Sequence, residues 1–104
     1  MTLYNCLSVA NRVKGFDQNS DAGVIQIYNG TSYLNGNNYG FYNNNGYSLV
    51  IKNCVSLDSK GSNSFTGSKI TSTNNTWLSG YSCSDADFIS LDTTMVTTER
   101  NADG

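Results

Sequence analysis

Residues able to do chemistry are few in this sequence, and they gather in one place. The string Asn11-Arg12-Val13-Lys14-Gly15-Phe16-Asp17-Gln18-Asn19 holds two of only six basic residues, two positions apart. On an extended segment that spacing puts both cations on one side. Taken alone, such a pair is an ordinary solvated surface feature, since lysine and arginine are mostly exposed. The chain has no histidine, which excludes histidine-based triads and histidine metal sites. Its three cysteines lack a Cys-x-x-Cys spacing, so no zinc site is expected. Asp85-Ala86-Asp87 brings two carboxylates without other acidic ligands, too few for calcium, and is expected to be a solvated turn.

Composition narrows what could position these residues. A chain of 104 residues suits one modest domain with a small core. Only 13% of residues are charged, about half the usual share of roughly 25%. The hydrophobic fraction of 38% is too high and too evenly spread for a disordered chain. Asn and Ser dominate, and with seven Tyr they suit an all-β protein that meets sugars or other neutral polar surfaces. A net charge of −2 and a pI of about 4.6 leave no basic stripe for a nucleic-acid partner. No apolar run approaches the roughly 20 residues of a membrane span. Met1 leads straight into patterned sequence, so the chain is expected to be part of a longer protein.

The pattern is a repeat. Leu3-Tyr4-Asn5-Cys6-Leu7-Ser8-Val9, Ile27-Tyr28-Asn29-Gly30-Thr31-Ser32-Tyr33 and Ile51-Lys52-Asn53-Cys54-Val55-Ser56-Leu57 superimpose without gaps. The interval from Asn5 to Asn29 equals that from Asn29 to Asn53, and Ser8, Ser32 and Ser56 keep the same step. A weaker copy, Ser72-Thr73-Asn74-Asn75-Thr76-Trp77, places Asn74 slightly early for that step. Phe16, Phe41 and Phe65 recur at almost the same interval. Such a period marks a solenoid, whose units bury their apolar faces only by stacking. Short period-two runs rich in β-branched and aromatic residues make each unit a set of strands. The fold predicted is all-β, a right-handed parallel β-helix of about four coils, the hand following from the crossover rule. Coils are expected over residues 1–78, and an irregular, truncated segment packing on the helix over residues 79–104. Asn29-Gly30, Asn35-Gly36 and Asn45-Gly46 could instead turn hairpins of an antiparallel sandwich, but hairpins do not force the same side chains to recur at one fixed interval.

Ile25, Ile27 and Asn29 share one side of a regular strand, which predicts an inward ladder of Asn5, Asn29, Asn53 and Asn74 at a tight bend. The same inward placement disfavours glycosylation at the sequons Asn29-Gly30-Thr31 and Asn74-Asn75-Thr76. Phe16, Phe41 and Phe65 should form an internal stack. Cys6 and Cys54 fall two coils apart, about 9.6 Å, beyond disulfide reach, and are expected to be buried free thiols. The repeat places Tyr39 and Asn63 at the equivalents of Lys14, so it does not itself require a cation there.

Lys14-Gly15-Phe16-Asp17-Gln18-Asn19, with Ala22-Gly23, Ile27 to Tyr33, Asn38-Tyr39, Asp87 to Asp92 and the tail Arg100 to Gly104, resembles the C-terminal part of family 9 polysaccharide lyases of the pectate lyase L type. The tail resembles a family segment that normally continues further. The resemblance implies a secreted or cell-surface bacterial enzyme that cleaves polygalacturonate by calcium-dependent β-elimination, monomeric at full length. A lysine then removes the C5 proton, and Lys14 stands where that base is expected. Neighbouring positive charge from Arg12 and calcium favours the neutral amine such a base needs. Arg12 and Tyr39 are the expected substrate contacts. The family's calcium site resembles an Asp-Asp-Gly-x-Asp cluster, which this sequence lacks, so its ligands are expected upstream and the chain alone is expected to be inactive. Two other readings share the fold: a non-catalytic β-helical polysaccharide-binding or cell-surface protein, and a family member that has lost activity. An acidic cluster upstream of Met1 would favour the enzyme.

Overall fold

In a computed structural model, residues 1–19, 23–42, 48–67 and 69–94 are described; Ala22, Asn45-Gly46 and the tail from Arg100 lie outside them. Three strands make the first coil: β1 (Thr2–Tyr4), β2 (Leu7–Val9) and β3 (Lys14–Asp17). The second holds β4 (Val24–Tyr28), β5 (Thr31–Tyr33) and β6 (Asn37–Tyr42), and the third β7 (Ser48–Lys52), β8 (Val55–Leu57) and β9 (Ser64–Thr66). A fourth begins with β10 (Ile70–Thr73). Every pairing among the described strands is parallel, in three sheets ordered β1-β4-β7-β10, β2-β5-β8 and β3-β6-β9. The chain is a parallel β-helix, and the antiparallel sandwich is excluded.

Alternation within each strand builds the core. Ile25 and Ile27 are 1% exposed, and Leu49 and Ile51 one coil on are 0% exposed. Each such side chain contributes about 1.5–3 kcal/mol by leaving water. Gln26 and Val50, between them, lie on the other face and are only partly buried.

The asparagine ladder forms, but on the outside. Asn29 donates its amide to Asn5 at 3.0 Å, Asn53 to Asn29 at 3.3 Å and Asn74 to Asn53 at 3.2 Å, and all four residues are exposed. Each sits at φ of 53–55°, in the left-handed region. That conformation ends the strand alternation and swings the Asn outward, which corrects the inward placement. The residue after it turns inward instead, giving a column of Cys6, Gly30, Cys54 and Asn75. Asn75 is 0% exposed, and its side-chain Oδ1 accepts from the Cys54 backbone N–H at 2.8 Å. The sequon at Asn29 is therefore not shielded by burial; its amide is occupied by the ladder.

A second left-handed corner recurs at Ala10, Leu34 and Asp58 (φ 56°, 56° and 48°), and the parallel hydrogen bonding continues through it from Ala10 N–H to the Tyr33 carbonyl and from Leu34 N–H to the Leu57 carbonyl. On both sides of this corner the inward positions are polar. Ser32, Asn35 and Asn38 are 0% exposed. Asn35 donates to Ser32 Oγ (2.9 Å) and Asn38 Oδ1 (3.1 Å), and Asn38 to Ser56 Oγ and the Leu57 carbonyl (both 2.9 Å). Satisfied in this way, the network costs little to bury.

The aromatic stack is offset from its expected register. Phe16 pairs with Tyr39 instead of Phe41, and the Phe16 and Tyr39 rings stack at 5.2 Å; Phe41 pairs with Phe65 at 6.2 Å. Trp77 closes the column against Tyr39 (4.9 Å) and Phe65 (5.4 Å). Residues 88–93 lie beside the second sheet, where Phe88 and Leu91 share a groove with Leu7, Val9, Tyr33 and Leu57.

Candidate functional site

Each residue of the Lys14-Gly15-Phe16-Asp17 string has its own structural reason. Phe16 points inward onto Tyr39. Gly15 leaves room for the buried network, since a side chain there would collide with Ser32 Oγ, Asn35 Nδ2 and the Asn38 carbonyl. Asn38 and Tyr39, its neighbours one coil on, are consecutive yet both 0% exposed. The strand therefore bends at this point, and the bend returns Lys14 and Asp17 to the same outer side although they stand at i and i+3. Lys14 Nζ lies 3.0 Å from Asp17 Oδ2, with the side chains 25% and 30% exposed. The other carboxylate oxygen, Asp17 Oδ1, is buried and has no hydrogen-bond partner among the described residues.

Lys14 pairs in register with Asn37, not with Tyr39. Tyr39 is 0% exposed, and its hydroxyl lies 3.0 Å from the carbonyls of both Gly30 and Val55. Burial pushes its phenol far above the ordinary tyrosine range. It is a core residue with no surface to offer a sugar, which corrects its assignment as a substrate contact. Arg12 is exposed in a bend ahead of β3, so its two-position spacing from Lys14 does not become a shared strand face.

Asp17 was not singled out by sequence reasoning. Its only signal was membership of the string, because an i,i+3 pair on a regular strand points to opposite faces.

The other reactive groups are structural. Cys6, Cys54 and Cys83 are free thiols. Cys54 is buried beneath Gly30, whose N–H donates to its sulfur at 3.3 Å, whereas Cys6 in the first coil is only partly buried. Burial pushes the Cys54 thiol up. Asp85–Asp87 forms a short 3₁₀ turn, in which Asp87 accepts from Ser84 N–H at 2.8 Å. Among the described residues no three acidic or cysteine groups come together in a way that could hold a metal ion. These residues therefore do not supply the calcium site that the family resemblance implies. No helix among them is long and apolar enough to cross a membrane.

Fold and site together define a parallel β-helix that carries a lysine–carboxylate pair on the outer side of its third sheet. Over 100 residues the chain is 43% identical to pectate lyase L of Dickeya dadantii (strain 3937) and 42% identical to pectate lyase L of Dickeya chrysanthemi, covering 94% of this chain and 23% of each of those proteins. It is also 29% identical over 100 residues to pectate lyase PEL9 of Emericella nidulans, covering 96% of this chain and 24% of that protein. The matched stretch is the C-terminal part of these relatives, and the chain is similar to that part of pectate lyases of the L type, consistent with a fragment of a family 9 polysaccharide lyase. It spans about a quarter of the length of the curated relatives it matches. No family model matches the chain. No solved structure matches it either.

Proposed function

We propose that this chain is part of a secreted or cell-surface bacterial pectate lyase-like enzyme that cleaves polygalacturonate by calcium-assisted β-elimination, with Lys14 as the base. The observation that carries the reading is the Lys14 amine itself, held part-exposed on the outer side of a sheet within the string that resembles the lyase family. In the reaction the neutral amine takes the proton from C5 of a uronate residue. The electron pair of that C–H bond forms the C4–C5 double bond, and the C4–O bond breaks. The leaving oxygen departs with its electron pair and is protonated by solvent. General-base catalysis of this kind contributes about 10²–10⁴-fold.

Arg12, exposed just before β3, remains the substrate contact this reading offers, as a cation for a uronate carboxylate. The calcium ligands belong to coils preceding this chain, which is why the chain alone is inactive. The test is ultraviolet absorbance of the unsaturated product from polygalacturonate. The full-length protein should generate it in the presence of calcium and the 104-residue chain should not. Activity from the chain alone, or none from the full-length protein, contradicts the proposal.

A further inference from the structure

We infer that Gly40 and Asp17 are positioning residues for the Lys14 amine, Gly40 by lacking a side chain and Asp17 by its ion pair; the catalytic consequence rests on the reading of Lys14 as the base. Gly40 lies opposite Asp17 in the β3–β6 pairing. Its backbone is not in the left-handed region, so backbone geometry does not demand glycine. The three atoms that a Cβ at Gly40 would meet first all belong to Lys14: Cδ at 2.9 Å, Cε at 3.0 Å and Cγ at 3.5 Å. Gly40 is buried, and the stem of Lys14 covers it. The lysine therefore lies flat across the next coil, in a shallow seat that only glycine leaves open.

Asp17 fixes the far end. It takes the amine at 3.0 Å, and its second oxygen is buried. Buried on that side, the carboxylate has little freedom to follow a displaced amine. When a lysine base takes a proton it becomes an ammonium, and Asp17 stands where that charge forms. An opposite charge favours the ammonium before the reaction as well as after it, so what Asp17 contributes is the place at which it holds the amine. Position matters as much as charge, since a misplacement of about 1 Å in a reacting group can cost about 10²-fold in rate.

Gly40→Ala separates positioning from folding, because the atoms that must give way are the end of a flexible side chain, not backbone. Asp17→Asn removes the charge at nearly constant shape. In the full-length protein, each variant should keep its melting temperature. Each should lower kcat on polygalacturonate by roughly 10- to 100-fold with KM within about twofold. Limited reductive methylation followed by peptide mapping supplies a readout independent of turnover. Lys14, displaced from Asp17 or deprived of its charge, should label several-fold faster in both variants, relative to Lys52 and Lys60. Unchanged Lys14 labelling overturns the inference. So does normal kcat in both variants when Lys14→Ala abolishes turnover. If Lys14→Ala leaves turnover intact, the base assignment falls, and the labelling rates alone decide whether Gly40 and Asp17 position the amine.

Discussion

The ring of Phe16 lies 5.2 Å from the ring of Tyr39 and within 12° of parallel, so the segment that carries Lys14 is anchored from inside the helix. Tyr39 in turn contacts Phe65 and Trp77 and reaches two backbone carbonyls with its hydroxyl. One buried tyrosine thus ties four coils together beneath the candidate site.

Tyr39→Ala should cost about 3–5 kcal/mol, the range for removing a large buried aromatic. Tyr39→Phe keeps the stack and loses only the hydroxyl bonds, so about 1 kcal/mol is expected. Urea unfolding of the two variants measures both. Equal losses would show that the hydroxyl, not the stack, dominates.

Alkaline pH should destabilise the fold through the same residue. Tyr39 and Cys54 are both raised from ordinary values of 10.0 and 9.0, with burial the leading cause. Each holds its proton more tightly when folded, so its contribution is complete below those values. As pH rises past them the unfolded state ionises first and stability falls, by up to about 1.4 kcal/mol per pH unit for Tyr39. Melting temperature followed from pH 8 to pH 11 should drop most steeply above about pH 10, the ordinary phenol value. In Tyr39→Phe that slope should be shallower.

The asparagine ladder is testable at Asn53, which bonds both Asn29 and Asn74 and sits at φ 55°. Asn53→Ala loses both bonds and places a β-carbon in a left-handed conformation, for about 2 kcal/mol in all. Asn53→Gly accepts the backbone angle and should recover about half. Indistinguishable Ala and Gly variants in chemical denaturation would show that backbone angle contributes nothing at this corner.

The coils were legible because stacking forces one residue type to recur at one register, as Asn5, Asn29 and Asn53 do at equal intervals. The direction of the ladder was not, because a single left-handed residue reverses the alternation that strand patterning assumes. The corner at Ala10, Leu34 and Asp58 left no trace in sequence, since three unlike side chains share one backbone angle. The same limit governs the site. Lys14 stood out as a cation off the repeat. Asp17 did not, because strand alternation puts positions i and i+3 on opposite faces, and the pair forms only across Gly15, which is packed against Asn35 and Asn38 of the next coil. Tyr39 was misplaced because β3 meets β6 with Phe16, not Lys14, opposite it, a shorter step than the one from Phe16 to Phe41.

The most direct measurement is the turnover of polygalacturonate by Lys14→Ala in the full-length protein, with calcium present and folding checked by circular dichroism. A loss of about 10²–10⁴-fold with the β-sheet spectrum unchanged is the result expected of a missing base. Near-normal turnover in a folded variant would contradict the assignment of Lys14 and, with it, the catalytic role given to this outer sheet.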